Sequence, residues 1–176
     1  MTKVNFLEAL RDFTRKAVSN MEFPAKPQPG DEQPEPRVPE VYLCRVPSGK
    51  QATRKAPYIL HQVVTSRDAQ PKGGPMVSTV TVRSVFVVYD DDEQAGGMAL
   101  LTLIDHVRTE LLKQCVLARQ YRLSLETGVE YAIYTEDMAP FYAAEMVTEW
   151  EVPAVGREIL YAPQTQHAPV PKPGLW

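Results

Sequence analysis

The chain has 176 residues, 44% of them hydrophobic and 23% charged, with a formal net charge of -3. That is the balance of a globular protein with room for one core plus extensions, which excludes wholesale disorder. Lys and Arg are scattered, with no run longer than Arg54-Lys55, so the clustered basic surface of a nucleic-acid binder is missing and sequence-specific nucleic-acid recognition is not expected.

No stretch approaches the roughly 18 apolar residues that span a bilayer, so no membrane partner is expected. The opening Met1–Met21 carries Glu8, Arg11, Asp12, Arg15 and Lys16 spread through it, which is not the apolar centre of a secretion signal. The two cysteines, Cys44 and Cys115, are too far apart for a CxxC site and are expected to be free and buried.

Residues 1–23 read as one amphipathic helix. Asn5 suits an N-cap and Glu8 completes a capping box. Phe6, Leu10, Phe13, Ala17 and Met21 form an apolar stripe, flanked by Leu7 and Val18, that must be buried on this chain or on a neighbour. Residues 24–56 form a connector. Between Pro24 and Pro39 six of sixteen residues are proline, which rules out a helix or a central strand. Val41–Arg45 then reads as a short strand closed by the turn-like Pro47-Ser48-Gly49.

Residues 57–153 carry the core domain. Tyr58–Val64 is rich in apolar and β-branched residues and predicts a strand, followed by a loop through Gly73-Gly74-Pro75. Val77–Tyr89 is the strongest strand, with Val80, Val82, Phe86 and Val88 on one face and Thr79, Thr81 and Arg83 on the other. Val85 and Val87 make its far half apolar on both faces, which predicts cover from both sides.

A long helix is expected from about Ala95, with Leu101, Ile104, Val107, Leu111 and Cys115 on one face and Met98, Leu100, Leu103 and Leu112 widening it. Gln120–Leu125, Val129–Tyr134 and Phe141–Val152 predict three more strands. The expected fold is α+β: a mostly antiparallel sheet with the long helix packed on one face, preceded by the N-terminal helix and the Pro-rich connector. Residues 154–176 form a proline-rich tail that cannot fold alone.

Catalytic signatures are absent, and no catalytic residue, cofactor or metal is assigned. His61, His106 and His167 lie far apart in the sequence, and no zinc helix or nucleophile elbow occurs. His106 falls among polar helix positions and is expected to be solvated. Val46–Gln51 fails as a phosphate loop, because Cys44 stands where the first glycine is needed and Gln51 where Ser or Thr is needed.

Asp90, Asp91, Asp92 and Glu93 fail as a calcium loop, since Ala95 occupies the glycine position. Acidic residues ahead of a helix fit its dipole. They are also the candidate charged contact surface, and Trp176 is a candidate anchor on a partner. Gly96-Gly97 suits close packing of helix on sheet better than phosphate binding beside four carboxylates.

Taken in order, several motifs resemble the tail-terminator, or tail-completion, proteins of long-tailed bacteriophages and prophages. Arg37–Leu43 followed by Val46-Pro47 is similar to the short strand after the N-terminal helix in that family, and Ala56–Leu60 to its next strand opening. Tyr89–Glu93 running into Gly97–Leu112 resembles its strand, acidic turn, glycine and leucine-rich helix. Pro140–Met146 through Trp150–Pro153 looks like its closing strand. The resemblance spans roughly residues 4–153.

It implies a structural virion protein in the tail or neck, assembled in the host bacterial cytoplasm. Such subunits are expected to form a ring with copies of themselves, a hexamer, which contacts the tail tube protein and the head-side connector. The alternatives are another neck or joint protein, for head completion or the tail tube, or a non-enzymatic binding module. A tube protein polymerises without limit, whereas a terminator stops at one closed ring.

Overall fold

The computed structural model describes residues 3–27, 34–47, 55–134 and 139–155. In chain order the elements are α1 (Lys3–Ala17), β1 (Glu40–Leu43), β2 (Tyr58–Ala69), β3 (Val77–Tyr89), α2 (Glu93–Gln114), β4 (Val116–Leu117), β5 (Tyr121–Leu123), β6 (Val129–Ile133) and β7 (Phe141–Val152). The strands form one sheet in the order β1-β2-β3-β7-β5-β4, with β6 also paired to β7. The fold class is therefore α+β, with a mostly antiparallel sheet and helices against it.

β3 is central because its residues can be buried on both faces. β2 and β7 flank it antiparallel along nearly its whole length. Since side chains alternate along a strand, Val80, Val82, Phe86 and Val88 of β3 join Ala144, Met146 and Trp150 of β7 on one face, all fully buried. Leu100, Leu103, Ile104, Val107 and Leu111 of α2 pack onto them.

α1 lies on the same face. Its Phe6 ring centroid is 5.3 Å from Tyr121 and 5.3 Å from Trp150, and Leu10 and Val18 are buried in the same cluster. The apolar stripe of the N-terminal helix is thus covered by its own chain.

The opposite face holds a second cluster: Tyr58, Val87, Tyr89 and Ala143 are covered by Val46 and Ala56, with Val85 and Leu60 half-buried beside them. The connector is what covers the far half of β3 from behind. Lys26 also places its ammonium 5.1 Å above the Phe141 ring, a cation–π contact. The rest of this face, around Thr79, Thr81 and Arg83, has no second layer among the described residues.

Within this mostly antiparallel sheet β1 pairs parallel to β2; the long connection between them permits the crossover that parallel pairing requires. Several expectations need correction. β1 ends at Leu43 because Cys44 turns left-handed, with φ of 60°. β2 runs on to Ala69, past a bulge between Val63 and Thr65, since backbone pairing with β3 holds its polar outer half in place. α1 already begins at Lys3, so Asn5 sits inside the first turn rather than at the N-cap.

Cys115 is the left-handed C-cap of α2 instead of a stripe residue, its N–H donating to Leu111 O at 2.8 Å. Leu101 is half-buried and Met98 and Leu112 are exposed. Both cysteines are free, but Cys44 is exposed and Cys115 only partly covered. No helix among the described residues is long and apolar enough to cross a membrane.

Candidate interaction surfaces

The acidic turn is built around the start of α2. Asp92 is the N-cap: its backbone is extended and its Oδ1 accepts the Ala95 N–H at 2.8 Å. Asp90 Oδ1 accepts the Asp92 N–H at 3.0 Å, and Tyr89 donates its hydroxyl to Asp91 Oδ1 at 2.7 Å. That hydrogen bond, with burial, pushes the Tyr89 phenol up to about 12. Asp91, Asp92 and Glu93 are exposed and Asp90 half-exposed.

Two of the four carboxylates are thus engaged by the turn's own N–H groups. Asp92 is a structural cap as well as a surface charge, and Asp91 and Glu93 are the freer probes of docking. Among the described residues no group of three His, Cys, Asp or Glu converges as a metal site. Trp176 lies outside the described residues.

Gly96 follows at the point where α2 meets β7. A Cβ there would overlap the Tyr142 ring, whereas a Cβ on Gly97 would meet nothing within 4 Å. Close packing of helix on sheet therefore requires the first glycine and not the second.

A buried polar cluster escaped the sequence reading. His61 Nδ1 lies 2.8 Å from Ser84 Oγ, and Nε2 lies 3.0 Å from Thr14 Oγ1. Thr14 spends its proton on Leu10 O at 2.8 Å, so it accepts from Nε2–H, and Nδ1 accepts from the Ser84 hydroxyl. A serine beside a histidine is the pairing of a nucleophile and its base. Here all three side chains are at most 1% exposed, so no substrate reaches them and they lock α1 to β2 and β3. Burial pushes the His61 imidazole down to about 3.

His106 also departs from expectation. It is half-buried and its Nε2 donates to Ala17 O at 3.0 Å, tying α2 to the end of α1. A lone histidine at a polar helix position gave no signal of that contact.

The open part of the sheet carries a polar cluster that joins β3, β7 and Tyr134, the residue after β6. Arg83 Nε donates to Glu145 Oε2 at 2.5 Å and its Nη2 to Tyr134 OH at 2.9 Å, while Tyr134 donates to Glu145 at 2.7 Å. The Tyr134 hydroxyl and then the Arg83 guanidinium hold the Glu145 carboxyl below its usual range.

Among the described residues, and besides the outer sides of the end strands β1 and β4, two exposed stretches of strand edge are unpaired. β1 covers only Tyr58–His61 of β2, leaving Thr65–Asp68 exposed. On the far side, β6 is paired only to β7 among the described residues, and Glu130–Tyr134 are exposed. Compared with protein-family models and with curated proteins, the chain matches none of either.

Proposed function

We propose that this chain is a structural virion protein, a tail terminator whose copies close a ring on a phage tail tube. In this role it stops tube polymerisation and joins the tube to the head-side connector. It works mechanically, with no catalytic residue and no cofactor, and its place is the tail or neck of the virion.

The observation that carries this reading is the order of motifs from Arg37 to Pro153: short strand, second strand, long strand, acidic turn, glycine, leucine-rich helix and closing strand. The α+β fold is compatible with it. Free edges on opposite sides of one sheet further support it, because identical subunits joined head to tail make a ring when the rotation closes.

The test is deletion of the gene in the phage that carries it. Overlong tails, or tails unjoined to heads, are expected. Normal tail length and normal joining would overturn the reading. Electron microscopy of the purified protein separates the tube alternative, since a tube protein grows filaments where a terminator gives rings of one size.

A further inference from the structure

The two free edges are complementary in charge and in apolar character. The β2 edge presents Arg67 and, in the following loop, Lys72, all exposed, while the β6 edge presents Glu130 with Glu126 just before it, also exposed. Among the described residues neither Arg67 nor Glu130 takes part in an ion pair. Each edge also exposes large apolar side chains: Val64 is 57% exposed, and Tyr131 and Ile133 are each 40% exposed. Unpaired strand edges are templates for another strand.

We infer that the β2 edge of one copy pairs antiparallel with the β6 edge of the next, with Arg67 opposite Glu130. This rests on the ring reading above and names the contact that builds the ring. Directions agree: β2 and β7 run the same way, both antiparallel to β3, and β6 is antiparallel to β7. β6 therefore opposes β2 when successive copies are related by rotation about an axis along the strands.

Faces agree too. Arg67 pairs with Thr79, and Glu130 with Val147 and so with Arg83, all on the open side of the sheet. This register sets Ser66 opposite Tyr131 and brings Val64 beside Ile133. A slip of one residue would turn every side chain to the wrong face, and a shift of two would part the charges.

The register fixes a geometry. Thr79 and Arg83 are four residues apart on β3, so each copy is displaced along the strands by about 13 Å at ~3.3 Å per residue. The width contributed by β2, β3, β7 and β6 is roughly 19 Å at ~4.8 Å per strand. The ratio gives a strand tilt of roughly 35° to the ring axis, inside the range at which staggered sheets close on themselves.

The test uses the full chain. Arg67→Glu and Glu130→Arg are each expected to raise the concentration at which half the protein is in rings by about tenfold or more, since like charges opposed across an interface select against it. The double variant is expected to recover. Circular dichroism checks that each variant is folded.

In a second variant, Cys44 and Cys115 become serine and Ser66→Cys is combined with Tyr131→Cys. Oxidation of its rings is expected to give a ladder of covalent oligomers that ends at one closed species. Rings that neither charge reversal weakens, and that give no ladder, would overturn the edge pairing while leaving the ring reading intact. Filaments cross-linked by the same pair would uphold the pairing and overturn the terminator reading. Wild-type protein that forms no rings at all would overturn both.

Discussion

Thr14 Oγ1 lies 3.0 Å from His61 Nε2, a fully buried contact that joins the N-terminal helix to the middle of the sheet. With Ser84 on the other ring nitrogen, the neutral imidazole has both its donor and its acceptor satisfied. A second proton would place an unpaired charge in the core.

Stability is accordingly expected to fall with acid. His61 titrates near 6.5 in the unfolded chain, and burial pushes it down to about 3 in the folded one. Between those values the unfolded state binds the extra proton, so stability rises with pH and is lost as pH drops below about 6.5. By pH 4.5 the loss is about 3 kcal/mol, at about 1.4 kcal/mol per unit over two units. Urea unfolding of wild type and His61→Gln from about pH 7.5 to about 4.5 measures this. Parallel slopes in the two proteins would show that His61 does not carry the dependence.

The two adjacent glycines of α2 are expected to respond in opposite directions. Gly96→Ala drives a methyl into the Tyr142 ring, an overpacking that costs about 1–3 kcal/mol. Gly97→Ala meets open space and gains helix propensity, a stabilisation of about 0.5–1 kcal/mol. Thermal unfolding of the two variants reads both signs.

Phe6 is the anchor of α1, wedged between Tyr121 and Trp150. Phe6→Ala is expected to cost about 3–5 kcal/mol. Because α1 covers the same core as α2, the loss appears as a lower midpoint of one cooperative transition rather than as fraying of the N-terminus alone. Hydrogen exchange that sped up only within residues 3–17 would contradict this.

The parts of this fold that the sequence states clearly are those where alternation and burial agree. β3 alternates between buried and more exposed residues from Val77 to Phe86 and β7 from Ala144 to Glu151, and most of each strand follows from that pattern. α2 is harder to orient, because the neighbouring pairs Leu100-Leu101, Leu103-Ile104 and Leu111-Leu112 offer two apolar stripes. Only contact with the sheet selects Leu100, Leu103, Ile104, Val107 and Leu111.

Thr65–Asp68 of β2 is polar and exposed, so nothing local marks it as a strand; its partners on β3 do. Thr14 and His61 belong to no motif singly and become intelligible only as a buried pair. The helix start at Asp92 was legible as acidic residues ahead of a helix, but not the division of labour among them.

That division decides how the acidic turn is tested. Reversing Asp92 would remove the N-cap, at a cost of about 0.5–2 kcal/mol, and so would confuse folding with docking. Asp91 and Glu93 are exposed, and the turn's own N–H groups are met by Asp90 and Asp92 instead. Asp91→Lys with Glu93→Lys loses one part-buried hydrogen bond from Tyr89, about 0.5–1.5 kcal/mol, and places cations at the positive end of the helix dipole, about 0.3–1 kcal/mol. The double variant is expected to remain folded, with the Tyr89 phenol moving back down from about 12. Under the terminator reading it still forms rings, since the free edges lie elsewhere on the sheet, but docks poorly on the tube or the connector, because charge selects partners more than it sets affinity. Complementation of a deletion phage reads this as ring-competent protein with few joined virions. Full complementation by the double variant would remove the acidic turn from the list of contact surfaces and leave it as a helix start alone.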